Sequence, residues 1–513
     1  MSINRTKHSM QNIITGVFGK IVALIVPFIL RTVILNVLGA NYLGLNSLFS
    51  SILQLLNLTE LGFSSAIVYS LYKPLEDDDY EKVANILSLI KSIYRIVALF
   101  ILAGGLICLL FLDKLIAGTC PSDLNIYVLF ILYLINTVVS YLFFSYRNCL
   151  LIALQRSDIK NCINTVMKIV ELILQIIVLV AFKSMYLYIG VLIVCTIINN
   201  VVSYYVTKVK YPQYECYGKV SKAEKKEILY QVLGILADKV CCVSRSSFDS
   251  IFISFFLGLE IVAKYDNYLY ITNAMYSIIN VLTTSLMASI GSSVAVEAVK
   301  KNYDNMKQLD FLFAWIYGWI AVCLLCLYQP FMKIWVGENM MLSNEIVILF
   351  VIYFYTICMG VVRAIYVQAS GIWWREKNRA LIETVANLLL NIILVKLFGL
   401  FGVILATCIS LFFINFLFGS RYIFKYYFGL KYLKEYLFEH VKYLFVTIII
   451  GGICFALCST FEFNKYIDIL VKLVICIIVP NVLCMAVVFN TKYKKYVIDT
   501  IIRIKGNLFS KRA

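Results

Sequence analysis

Four arginines, Arg31, Arg147, Arg245 and Arg363, interrupt long apolar runs. A guanidinium stays charged at physiological pH and donates two parallel hydrogen bonds, a geometry that matches phosphate oxygens. Lys20 shares a helical face with Pro27 and Arg31, and Asn57 lies on a polar stripe in the next run. These six side chains form a candidate binding set for an anionic head such as pyrophosphate. Three carboxylates in the same kind of run, Glu60, Asp249 and Asp266, are the candidates for carrying a proton or a sodium ion. No residue is assigned a catalytic role.

The elements that must position these groups follow from composition. Of 513 residues, 62% are hydrophobic and 15% charged, with a mean hydropathy of +0.87, whereas soluble domains are about half apolar and a quarter charged. A soluble enzyme, a secreted disulfide scaffold and a nucleic-acid binder are excluded. Apolar runs bounded by charge, Pro and Gly predict helices at about 12–38, 43–72, 83–112, 124–150, 161–182, 185–207, 228–257, 260–295, 309–332, 344–371, 380–395, 401–420, 443–459 and 466–489. That is an all-α polytopic membrane protein of about 14 transmembrane helices. The even count puts both termini on one side. With that side cytoplasmic, the cytoplasmic segments hold thirty Lys and Arg and the outer segments five, which the positive-inside rule requires. The net charge of +17 is therefore mostly topology. The basic N-terminus leads into a span-length run without a small-residue cleavage site, so it reads as a retained first helix.

Two halves repeat. LGANYLGLNSLFSSI (38–52) shares its opening with LGLEIVAKYDNYLYI (257–271) at an offset of 219, and DKLIAG (113–118) aligns with MKIWVG (332–337) at the same offset. Arg147 aligns with Arg363, Glu171 with Asn387 and Gln175 with Asn391 at 216. Six is even, so the halves enter the membrane in the same direction, as parallel repeats related by a pseudo-twofold axis along the membrane normal. The expected organisation is an N-terminal six-helix bundle at 1–207, a linker at 208–227, a second bundle at 228–425, two extra helices at 426–489 and a basic cytoplasmic tail at 490–513.

Polar stripes mark the helices expected to face a cleft. Asn46, Ser50, Asn57, Glu60 and Ser64 share a face of helix 2, and Asp266, Asn273, Ser277, Asn280 and Thr284 a face of helix 8. Interhelical hydrogen-bond glue is the alternative. Helix 5 carries Asn161, Asn164, Lys168, Glu171 and Gln175, in which Lys168 and Glu171 are spaced to pair. Eleven cations lie at membrane depth, each costing about 2.5 to 3.5 kcal/mol if unrelieved, against six acids on these helices. Lys264 and Lys472 are near enough to an end to snorkel. The cleft is expected to be net positive, which disfavours an exporter of organic cations. The sixteen Cys show no repeated metal spacing and read as small buried hydrophobes, with no metal site. No cofactor is expected beyond a coupling proton or sodium ion, or the membrane potential.

The segment FILRTVILNVLGANYLGLNSLFSSILQLLNLTELGFSSAIVYSLYKPL (28–75) resembles the opening of Wzx-type polysaccharide repeat-unit flippases, in the multidrug/oligosaccharidyl-lipid/polysaccharide exporter superfamily, and PFMKIWVG (330–337) extends the resemblance. It implies a V-shaped fold of two six-helix bundles with alternating access. The implied activity is moving undecaprenyl-pyrophosphate-linked oligosaccharide, an O-antigen or capsule repeat unit, across the bacterial inner membrane. Membrane lipids, a polysaccharide polymerase and glycosyltransferases are the implied partners. Arg31 sits where cavity cations occur in this superfamily, and the last two helices suit a groove for the lipid tail. A lipid II flippase, a multidrug antiporter and a membrane polysaccharide polymerase or ligase are the alternatives. The last of these usually needs a large outer loop, and the longest outer segments here (113–123, 333–343) are short.

Overall fold

The computed structural model describes residues 2–57, 63–118, 120–142, 146–460 and 464–489. These are helical almost throughout: α1 (Ser2–Val37), α2 (Ala40–Leu56), α3 (Phe63–Glu76), α4 (Tyr80–Leu109), α5 (Ile126–Leu142), α6 (Tyr146–Ala153), α7 (Ser157–Phe182), α8 (Met185–Lys210), α9 (Lys222–Leu257), α10 (Leu259–Val296), α11 (Val299–Trp335), α12 (Asn344–Met359), α13 (Val361–Ala369), α14 (Trp373–Ile409), α15 (Gly419–Ile423), α16 (Leu433–Ser459) and α17 (Lys465–Phe489). Among the described residues, nine helical segments are long and apolar enough to cross a membrane, and eleven if each of two bent pairs is one span. One segment, Arg375–Phe428, has 54 residues, about 80 Å of straight helix against a hydrocarbon core of about 30 Å. Gly399 breaks it at φ 58, so it holds two helices that meet between the expected spans 380–395 and 401–420.

Helix α7 shows why this chain belongs in lipid. Its Glu171 and Gln175 are buried, while Val166, Ile173, Ile177 and Val180 are more than half exposed. The polar face turns inward and the apolar face outward, the reverse of a soluble helix.

The repeat is written in the backbone. Positive φ occurs at Gly39 and Gly258, at Gly118 and Gly337, at Gln155 and Gly371, and at Lys183 and Gly399. These pairs stand at the two offsets read from the sequence. Gly39 (φ 103, ψ 177) and Gly258 (φ 91, ψ 172) have nearly the same conformation, which a residue with a Cβ rarely adopts. Each makes a one-step turn between two helices.

By packing, the chain forms two compact units, residues 1–266 with 391–403 and residues 267–390 with 404–513. This division differs from the expected boundary at 208–227, because α9 packs on α2 and α3 of the first half. In the first unit α1 lies on α7, α4 on α5, and α8 on α5 and α7; in the second, α11 lies on α12, α16 and α17.

Candidate functional site

The two glycine turns place the charged groups of the first unit. Arg31 and Ser47 lie eight residues either side of Gly39, and Ser250 and Asp266 eight either side of Gly258. Each turn folds its helices back so that these positions meet. Arg31 Nη2 donates to Ser47 Oγ at 3.4 Å, and Ser250 Oγ donates to Asp266 Oδ1 at 3.2 Å. The two repeat-related pairs then join, because Arg31 Nη2 stands 3.8 Å from Asp266 Oδ2. Gly44 permits the approach: a Cβ there would lie 2.1 Å from the Leu259 carbonyl oxygen. Asp249, next to Ser250, accepts from Tyr265 Oη at 3.1 Å and from Asn391 Nδ2 at 2.8 Å. Of the sequence candidates, Arg31 and Asp266 are thus brought together, and Asp249 is held separately by Tyr265 and Asn391.

The other candidates are placed differently. Arg245 is buried one turn before Asp249 on α9. Lys20 is exposed on α1, and Asn57 caps the end of α2 with its Oδ1 unpartnered. Glu60 lies outside the described residues. Arg147, on α6, donates to the Tyr214 carbonyl at 2.5 Å and stands 5.6 and 5.5 Å from the Tyr146 and Tyr204 rings. Lys91 is 5.8 Å from the same Tyr146 ring. Among the described residues no carboxylate is within ion-pair distance of Arg147, so it joins a cationic aromatic cluster under the 211–221 loop. The expected pair Lys168 and Glu171 is present at 2.9 Å. Lys264 and Lys472, expected to snorkel, are paired with Glu260 at 2.9 Å and Asp468 at 2.7 Å.

Arg363 is the clearest correction. In the second unit its Nη1 donates to Glu376 Oε1 at 2.5 Å and its Nη2 to Asn415 Oδ1 at 3.2 Å. Arg379 bridges Glu376 and Glu383, and Asn415 Nδ2 donates to Glu383 at 2.9 Å. Two arginines and two glutamates balance in a buried network, so Arg363 does not add charge to a net-positive cleft. Glu376 and Arg379 were expected in a cytoplasmic segment, but α14 begins at Trp373 and carries them inside. His440, also expected on the cytoplasmic side, is 2% exposed on α16 and lies 3.9 Å from Asp310 on α11. His440 Nδ1, His440 Nε2 and Asp310 Oδ2 make no hydrogen bond, which leaves a buried ionisable pair that the sequence reading passed over.

The second unit also holds an apolar cavity of about 1030 Å³ lined by α11, α12, α16 and the π-helical run Ser410–Phe418. Val322, Val351, Phe412, Ile448 and Phe455 form its walls, with Lys333, Asp468 and Lys472 at its margin. Its size is at the top of the range that drug-sized ligands fill. A flexible hydrocarbon chain suits it better than a charged molecule.

A family model described as polysaccharide biosynthesis protein matches residues 9–287. No curated protein sequence is a match. Among solved structures, the lipid II flippase MurJ in an inward closed conformation aligns with TM-score 0.69 at 16% identity, over 95% of this chain and all of that one. An inward-facing multidrug resistance MATE family transporter of the MOP superfamily aligns with TM-score 0.62 at 16% identity, over 80% of this chain and 95% of that one. A MOP superfamily transporter from Pyrococcus furiosus aligns with TM-score 0.56 at 14% identity, over 84% of this chain and 97% of that one.

Proposed function

Because the chain belongs to the polysaccharide biosynthesis protein family, we propose that it flips undecaprenyl-pyrophosphate-linked oligosaccharide across the bacterial inner membrane by alternating access, with both termini cytoplasmic. The observation that carries this reading is Arg31, 3.8 Å from its carboxylate partner and 16% exposed. A pair at that distance lets pyrophosphate take the place of Asp266 and gain two parallel charge-assisted hydrogen bonds. Arg245 supports it from α9.

Return of the empty carrier uses the membrane potential, worth about 2.3 kcal/mol per charge per 100 mV, or a proton or sodium ion. Asp249, held by Tyr265 and Asn391, is the first coupling candidate, and Asp310 beside His440 is the second. A polysaccharide polymerase and glycosyltransferases are the expected partners. No catalytic step is assigned.

A second reading, a lipid II flippase, is favoured by the likeness to MurJ. Proteoliposomes with a fluorescent lipid-linked oligosaccharide and, separately, with lipid II separate the two. Flipping of the first substrate alone supports the proposal, flipping of lipid II alone selects the second reading, and flipping of neither rejects both. A multidrug antiporter would instead extrude organic cations from the same vesicles.

A further inference from the structure

Six cysteines, Cys323, Cys326, Cys454, Cys458, Cys476 and Cys484, pack together where α11, α16 and α17 meet. Three of them converge from three different helices: the Sγ atoms of Cys326, Cys458 and Cys476 all lie within 4.8 Å of one another. None of the three residues is more than 5% exposed. With metal–sulfur bonds of about 2.3 Å, the sulfurs of a three-coordinate thiol site stand about 4 Å apart. A shift of well under ~1 Å per side chain reaches that arrangement.

Small thiols ease close helix packing, and packing explains their presence in an interface. Two observations add to it. Cys326 and Cys458 also line the 1030 Å³ cavity, so an ion has an approach to the sulfurs. The turn that presents Cys476 is also fixed from outside, because Trp319 Nε1 donates to the Cys476 carbonyl at 2.8 Å and Cys323 Sγ to the same oxygen at 3.8 Å. All of these residues lie beyond the matched stretch 9–287, and the transport reading does not use them.

We propose that Cys326, Cys458 and Cys476 bind a soft monovalent metal ion of the copper(I) class, which clamps α11, α16 and α17 together. Sulfur ligands select soft ions. The group contains three sulfurs and, among the described residues, no fourth His, Asp or Glu, whereas structural zinc takes four ligands. Three thiolates around a monovalent cation would bury two negative charges in an apolar interior, at high cost. Metal-bound cysteine is thiolate, so an ion held by all three sulfurs displaces three protons, and its bonds to sulfur must outweigh that cost. This site stands independently of the transported substrate.

The test is anaerobic titration of the purified full-length protein with copper(I) against a chromophoric chelator, with proton release and thermal unfolding read in parallel. Wild type should take up one more ion than Cys326→Ser, Cys458→Ser or Cys476→Ser, release about three protons per bound ion, and unfold at a higher temperature when loaded. Cys108→Ser and Cys149→Ser should match wild type. Equal uptake by wild type and the three site variants would overturn the proposal, as would a thiol count showing two of the three joined as a disulfide. X-ray absorption of loaded wild type needs no variant to fold: three sulfurs at one short distance are expected, and a four-ligand or nitrogen-bearing shell would overturn the assignment.

Discussion

The arginines of the two compact units are held in contrasting ways. Arg31 has its carboxylate partner at 3.8 Å and a side chain 16% exposed. Arg363 has Glu376 at 2.5 Å and a side chain 3% exposed, inside a network that also commits Arg379, Glu383 and Asn415. The first arrangement presents a competing anion with a guanidinium whose carboxylate stands 3.8 Å away and whose Nη2 also donates to the neutral Ser47 hydroxyl. The second yields only by leaving buried charges uncompensated, which is far more expensive. A buried arginine in a membrane helix therefore signals function or structure according to how tightly its partners hold it.

The contrast breaks most easily at Arg363. Arg363→Ala should cost about 3–5 kcal/mol by leaving two buried glutamates, Glu376 and Glu383, to share Arg379, read as a lower unfolding temperature in detergent, while Arg31→Ala should cost much less. Equal losses would erase the distinction. Gly44→Ala should cost about 1–3 kcal/mol through overpacking against Leu259 and should also slow transport, because it pushes Ser47 away from Arg31. Loss of stability with full transport would show that the α2 and α10 contact does not set the site. Asp249→Asn keeps acceptor and size but removes the charge, so transport should fall roughly tenfold or more with unfolding unchanged. A flipping assay checks it.

The smallest effect lies outside the membrane. Ser221 and Glu224 form a capping box at the start of α9, and the Ser221 hydrogen bond, then Lys82, hold Glu224 below the usual glutamate range. The folded pKa is depressed, so this contribution is present above the ordinary glutamate pKa and fades as pH falls through the lowered value. Ser221→Ala should cost about 1 kcal/mol and flatten that acid limb in unfolding scans against pH.

Much of the fold was legible because it is local. Hydropathy placed the helices, the Leu-Gly pairs at 38–39 and 257–258 marked turns that share a backbone conformation, and spacing alone paired Lys168 with Glu171. What distant helices bring together was not legible. Glu376 and Arg379 are interleaved with Arg375 and Lys377 and read with them as a basic loop, although α14 already includes all four. Asp310 and His440 are 130 residues apart, and Cys326, Cys458 and Cys476 have no common spacing because each ligand comes from its own helix. The expected positive excess counted cations without these partners.

The role of Arg31 is tested most directly by the rate at which proteoliposomes flip a labelled lipid-linked oligosaccharide with Arg31→Ala, Arg31→Lys and wild-type protein at equal folded content. Flipping abolished in the alanine variant and reduced in the lysine variant, which keeps the charge but loses the paired donors, is the predicted result. Wild-type flipping by the alanine variant would contradict it.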